Sequence, residues 1–383
     1  MRQADRLAEL PPYLFEQIDS RIRKARAEGV DIISFGIGDP DLPTPPHIVE
    51  ACKKALDNPE NHRYPSSRGM DEFRGAVADR YKADFGVEVD PEREVTALIG
   101  SKEGIHNIHL AYVNPGDAVL YPEPGYPVYR ISPGFCGGQA YPMPLKKERG
   151  FLPDLGAIPE EVSRKARIIW LNYPNNPTAA TATKGFYREV VDFARDNDLI
   201  VCSDEAYSAI AYDGYRPPSL LEVEGALEVG VVFNSLSKTY NMTGWRIGYA
   251  LGNEDIIGSL VKLKSNVDSG ACRFIQEGAV AALTSSQDCV RENVKIYQSR
   301  RDILVKGLRS MGFAVEPPKA TFYVWMETPE GDSMAFASRL LDAGVVVTPG
   351  VGFGRHGEGF VRFALTQPAE RIAEALERME RIL

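Results

Sequence analysis

Lys238 closes the stretch Ser235-Leu236-Ser237-Lys238, just after the apolar run Val231-Val232-Phe233. A lysine drawn out of water is a less avid base and a better amine nucleophile, suited to Schiff-base chemistry on a carbonyl. Two serine hydroxyls precede it and Arg246 follows in Gly244-Trp245-Arg246-Ile247-Gly248, a donor set that suits the three oxygens of a phosphate. As a solvated loop the stretch would be odd, because Leu236, Met242 and Trp245 are apolar. Asp204, in Ser203-Asp204-Glu205-Ala206-Tyr207, ends the run Leu199-Ile200-Val201-Cys202, which reads as a strand buried on both faces. A carboxylate there is costly unless a cation meets it, and a protonated pyridine nitrogen is a fitting one; the plainer reading is an exposed acid at a loop start.

Three further clusters are weaker alone. Gly100-Ser101-Lys102-Glu103-Gly104 follows a strand pattern and opens a helix, whose free N–H groups favour a phosphate, although an ordinary Ser cap reads the same way. Tyr126, after the rigid turn Pro122-Glu123-Pro124-Gly125, suits stacking on a planar ring or plain packing. Asn176, in Asn172-Tyr173-Pro174-Asn175-Asn176-Pro177-Thr178, suits a hydrogen bond to a ring oxygen or an Asx-turn.

These clusters need elements to bring them together. Strand patterns at Val95–Ile99, Ala118–Tyr121, Ile168–Leu171, Leu199–Cys202, Val231–Phe233 and Ile247–Ala250 alternate with helical stripes at Ser101–Val113 and 184–197. Such alternation predicts an α/β fold with a mostly parallel central sheet, whose sites lie at the carboxyl ends of the strands. Helical periods at 254–266, 275–284 and 287–311 lead into strand patterns at Thr321–Met326, Val345–Val347 and Phe360–Leu365, a smaller α+β part. At the other end, Leu14, Ile18, Ile22 and Ala25 recur at helical spacing before Gly29, and the strand Ile32–Phe35 follows. The expected division is a small domain of residues 1–40 and 285–383 and a large one of 41–284.

Composition narrows the function classes. The chain has 383 residues, a net charge of −9, 44% hydrophobic and 25% charged residues, values of an ordinary globular protein. Charges are mixed, with no basic stripe for nucleic acid and no long apolar run for a membrane, and the N-terminus lacks the apolar segment of a signal peptide. Five cysteines without a CxxC pair read as reduced thiols of a cytoplasmic protein. His106 and His109 lack the further ligands a metal needs. Gly36-Ile37-Gly38 lacks the third glycine of a dinucleotide fingerprint.

Taken together, Tyr173–Thr178, Asp204–Tyr207 and Ser235–Lys238 with Arg246 resemble the class I/II aminotransferases, pyridoxal-phosphate enzymes of fold type I, and the resemblance runs over nearly the whole chain. It implies that Lys238 carries the cofactor as a Schiff base and shuttles the Cα proton. Asp204 would pair with the ring nitrogen, Asn176 and Tyr207 with its phenolic oxygen, and Tyr126 would stack on the ring. Ser101, Lys102 through its backbone N–H, Ser235, Ser237 and Arg246 would hold the phosphate, joined by Tyr64 from the neighbouring subunit of a homodimer. Arg362, in Gly359-Phe360-Val361-Arg362-Phe363-Ala364, resembles the arginine that forks the substrate carboxylate; read alone it is equally a surface salt-bridge residue. One departure is Ala179 after Asn176-Pro177-Thr178, where the family usually has glycine.

Leu10–Phe15, Gly36–Asp41, Gly100–Ile105, Ser265–Gly270 and Pro317–Trp325 are similar to the subgroup acting on LL-diaminopimelate in lysine biosynthesis. There the residues matching Tyr13, Gly38, Lys102, Asn176, Asn266 and Arg362 bind substrate, and glutamate and 2-oxoglutarate form the co-substrate pair. Arg273 adds a cation nearby that would favour a dicarboxylic substrate, so an aspartate-type or broad-specificity transaminase is the neighbouring activity, and a β-lyase of the same fold a more distant one.

Overall fold

The apolar runs become strands that bury both faces. The computed structural model describes residues 1–8, 10, 20, 22–24 and 26–383, so Tyr13 and three positions of the first helical stripe, Leu14, Ile18 and Ala25, lie outside the described residues. After β1 (Ile33–Ser34), seven strands form one sheet: β2 (Val95–Leu98), β3 (Ala118–Glu123), β4 (Gln139–Pro144), β5 (Ala166–Asn172), β6 (Ile200–Asp204), β7 (Gly230–Ser235) and β8 (Gly248–Gly252). Their order is β2-β8-β7-β6-β5-β3-β4. Only β8 runs against the rest, being antiparallel to both β7 and β2 while the other neighbours pair in parallel. The ends of β2, β3, β5, β6 and β7 therefore open on one edge, where the chain also enters β8.

Alternation along each strand feeds two cores. Ile168 and Trp170 of β5 pack with Ile105 and Ile108 of the helix Ser101–Tyr112, while Ile169 and Leu171 pack with Phe186 and Val190 of the helix Lys184–Asp196. Each such side chain removed from water contributes about 1.5–3 kcal/mol. The second helix starts where Thr183 Oγ1 accepts the Phe186 N–H at 3.1 Å, a cap worth about 1 kcal/mol. His109 is a packing residue: its Nε2 accepts the Trp170 indole N–H at 3.0 Å, and burial pushes its pKa down to about 4.

Two of the elements that were not expected contain proline. β4, Gln139-Ala140-Tyr141-Pro142-Met143-Pro144, carries two prolines, which this edge strand tolerates because one side of it needs no ladder hydrogen bonds. The helix Pro127–Phe135 contains Pro133, a residue that ordinarily ends a helix.

The remaining strands are β9 (Tyr323–Glu327), β10 (Val345–Val346), β11 (Thr348–Pro349) and β12 (Phe360–Ala364). A three-stranded antiparallel sheet has the order β11-β12-β9, and β1 pairs in parallel with β10, Ile33 opposite Val345. The helices Asp288–Ser310 and Ala369–Glu380 cover them, and Ile33 and Phe35 share one core with Leu304, Val324, Phe363 and Ile372. The N-terminal segment is thus built into the C-terminal part and crosses the sheet's active edge at Gly36–Gly38.

Candidate active site

The strand ends enclose a cavity of about 380 Å³ lined by Gly38, Ser101, Lys102, Tyr126, Asn176, Asp204, Tyr207, Ser235, Ser237, Lys238, Arg246 and Arg362, all of them expected site residues.

One end of the cavity is a cradle for an anion. β2 ends at Leu98, and the helix begins at Ser101. Gly100 between them has φ +73°, which suits glycine, and a Cβ there would meet Arg246 Nη2 at 2.3 Å, so the guanidinium lies close against the turn before the helix. Arg246 also has positive φ, and its Nη1 donates to Thr243 O at 2.9 Å. Across from it Ser235 Oγ accepts the Ser237 N–H at 3.2 Å, and both serines are buried. Helix N–H groups, two hydroxyls and one guanidinium on a shared volume match a phosphate.

Lys238 stands beside this cradle. Its Nζ donates to Gly38 O at 2.8 Å and lies 5.8 Å from the Phe322 ring centroid. Burial lowers its pKa to about 8; the Asp39 and Asp204 charges oppose that, while those of Arg362 and Arg246 add to it. Some neutral amine is therefore present at physiological pH, as a nucleophile requires.

Asp204 lies at the end of β6. Its Oδ2 accepts the Tyr129 hydroxyl at 2.6 Å and its Oδ1 the Ala206 N–H at 3.2 Å. Burial still pushes its pKa up to about 6, against the Tyr129 and Ala206 hydrogen bonds and the Lys238 charge. A carboxylate so placed suits a cationic ring nitrogen.

Arg362, on β12, is 1% exposed, which excludes the surface salt-bridge reading. Nη1 donates to Asn176 Oδ1 at 2.7 Å and Nη2 to Gly36 O at 2.8 Å. The Tyr323 and Phe353 ring centroids lie 4.2 and 4.7 Å from its Cζ. A planar cation held by oxygens and aromatic faces presents a fixed fork to a carboxylate. Asn176 is oriented in turn by its own N–H to Asn172 Oδ1 at 2.8 Å.

Some expected residues lie elsewhere. Tyr64 is 88% exposed, and Asn266 is exposed with its amide donating to Lys262 O at 2.9 Å; neither lines the cavity. Arg273 donates to Asn61 Oδ1 at 3.2 Å and does not line it either. Conversely, Asp39, Tyr129, Thr243 and Tyr323 line the cavity and were not singled out as site residues. Tyr129 follows Tyr126 at helical spacing, a signal that was available. Tyr323 hydrogen-bonds Tyr207, oxygen to oxygen, at 2.9 Å, and only tertiary contact places it there.

The family model for aminotransferases of class I and II matches residues 30–379. The chain is similar to a protein of Moorella thermoacetica named LL-diaminopimelate aminotransferase, 56% identical over 100% of this chain and 99% of that one. It is similar to another of that name from Desulforudis audaxviator, 54% identical over 98% and 97%. Among solved structures, substrate-bound BacF from Bacillus subtilis matches with a TM-score of 0.95 and 38% identity over 100% of this chain and 98% of that one.

Proposed function

The chain belongs to the class I and II aminotransferases, and within that family we propose that it uses pyridoxal 5'-phosphate to move an amino group between LL-diaminopimelate and 2-oxoglutarate. In the biosynthetic direction glutamate is the donor, tetrahydrodipicolinate the acceptor, and the product serves lysine synthesis. The carrying observation is that one cavity joins a lysine of lowered pKa, a buried carboxylate, an anion cradle and a buried arginine fork.

The cradle of Ser101, Lys102 N–H, Ser235, Ser237 and Arg246 fits the cofactor's phosphate, and Asp204 fits its ring nitrogen. When bound, the cofactor supplies an electron sink for the substrate's α-carbon. Lys238 Nζ would hold the cofactor covalently and, once freed for substrate, would move the Cα proton. Asp204, steadied by Tyr129, would keep a proton on the ring nitrogen. Asn176 and Tyr207 would hydrogen-bond the ring's phenolic oxygen, and Tyr126 would stack on the ring. Arg362 fixes the α-carboxylate and with it the angle of the Cα–H bond.

Diaminopimelate carries a second amino-acid group at its far end. Lys102 and Asp39 both line the cavity, one of each sign, and fit that far carboxylate and ammonium. Tyr64 is assigned to the phosphate of a neighbouring subunit's site, in a homodimer with shared active sites, and Tyr13 and Asn266 to substrate binding. The large domain (41–284) carries the cofactor contacts, and the small one (1–40 with 285–383) brings Gly38 and Arg362. No helix among the described residues is long and apolar enough to cross a membrane, and we assign the enzyme to the cytoplasm, where its substrates are made.

The deciding experiment is amino transfer to 2-oxoglutarate from LL-diaminopimelate, with aspartate, alanine and tyrosine as competing donors. LL-diaminopimelate should have the highest kcat/KM. Preference for aspartate would replace this reading with the dicarboxylic one.

A further inference from the structure

Glu123 ends β3 with a buried side chain. Its Oε1 accepts the Tyr121 hydroxyl at 2.8 Å, and its Oε2 meets His356 Nδ1 at 2.5 Å. The His356 N–H donates to Oε2 at 3.4 Å, and Arg355 Nε stands 3.8 Å away. No atom of this group lines the cavity, yet each side of it leads there.

On the side of the large sheet, Glu123 is followed by Pro124, Gly125 and Tyr126, the aromatic shelf of the cavity. On the other side, His356 belongs to the turn Arg355–Gly357, directly after the turn Gly350–Phe353, whose Phe353 ring lies 4.7 Å from the Arg362 guanidinium carbon. The two segments touch again where the Gly125 N–H donates to Phe353 O at 3.0 Å. Between these turns Gly354 has φ +120°, and a Cβ on it would meet Glu123 Cγ at 2.3 Å. The turn thus sits directly on the carboxylate, and a side chain at that position would lift it off.

We propose that Glu123 and His356 form a pin that sets the height of the Phe353 shelf beneath Arg362, making His356 a positioning residue for recognition of the substrate carboxylate. β3 is an interior strand of the large sheet, so Glu123 is the fixed half and the turn carrying His356 and Phe353 is the half that moves when the pin is lost. A guanidinium fork loses much of its hold on a carboxylate when displaced by about 1 Å. The contacts of Arg362 with Asn176 and Gly36 would persist and hold the plane of the fork, and with it the angle of the Cα–H bond, so the expected defect is in affinity, not in the chemical step.

The proposal rests on Arg362 as the carboxylate site. The test is therefore made on the cofactor-loaded enzyme with the non-reactive dicarboxylate glutarate, its Kd read by titration, beside KM and kcat for the amino donor. His356→Ala should raise the glutarate Kd and the donor KM on the order of tenfold, with kcat within about twofold and the cofactor Kd unchanged. His356→Asn, whose amide nitrogen falls near the position of Nδ1, should restore both constants. An unchanged glutarate Kd in His356→Ala would overturn the pin. So would a loss that tracks a fall in Tm and is not rescued by Asn, since that is a merely structural defect. Arg362→Lys separates the levels: if it binds glutarate normally, the reading of the carboxylate site fails before the pin is tested.

Discussion

Asp204 carries its charge at a cost to the cofactor-free fold. Its pKa is raised by burial from 3.8 to about 6. A carboxyl with a raised folded pKa holds its proton longer in the folded than in the unfolded chain, so its contribution to stability falls as pH climbs from the unfolded to the folded value and stays low above it. The upper limit is roughly 3 kcal/mol. Asp204→Asn should therefore stabilise the cofactor-free protein by up to roughly 3 kcal/mol near pH 8 and by nothing near pH 4, read by urea unfolding at both pH values. The same change should weaken cofactor binding at least tenfold, since the ring nitrogen loses its anionic partner. Equal stability near pH 8 would mean that the fold already compensates the charge.

At the scale of elements, the loop after β5 answers to one residue. Ala179 adopts φ +56°, and its N–H closes the turn on Asn175 O at 2.9 Å. An L-residue with a Cβ is strained there by about 1 kcal/mol, and glycine is not. Ala179→Gly should raise stability by up to about 1 kcal/mol, measured by thermal unfolding, with kcat unchanged. The family departure seen in the sequence thus has a backbone meaning. The strands of the large sheet were readable because Val, Ile and Leu runs buried on both faces leave no polar alternation to blur them; Ile168–Leu171 falls inside β5 and Val231–Phe233 inside β7. β4 was not, because Pro142 and Pro144 argue against a strand until its place at the sheet's edge is known. The site shows the same division. Lys238, Asp204 and Arg246 stand in local motifs that carry their own chemistry. Tyr323 and Asp39 are drawn to the cavity by contacts between segments far apart in the chain, which no local pattern encodes.

For the molecule as a whole, exposure of Tyr64 and Asn266 bears on assembly. If Tyr64 completes a neighbouring subunit's site, Tyr64→Ala and Lys238→Ala should complement each other: refolded together, they give mixed dimers with one site that has both an intact lysine and an intact tyrosine. Activity of the mixture above the sum of the separate variants is expected, and simple additivity would return Tyr64 to a surface role. The partners of β1 and the segment after it have a different consequence. Ile33 lies opposite Val345, Arg362 and Thr348 both donate to Gly36 O, and Arg300 forks Asp41 with two contacts of 2.7 Å. These residues leave the ribosome well before their partners, which lie 259 to 326 positions further along the chain. At about 5–20 residues per second the segment waits on the order of tens of seconds with its strand unpaired. The large sheet, complete by Gly252, can form during that wait, whereas the segment whose Gly38 carbonyl receives Lys238 is fixed only after Thr348 and Arg362 have been made. A nascent chain, or one cut before β9, should thus hold the anion cradle without the lysine's partner or the arginine fork, and catalytic competence arrives only once β12 has been made.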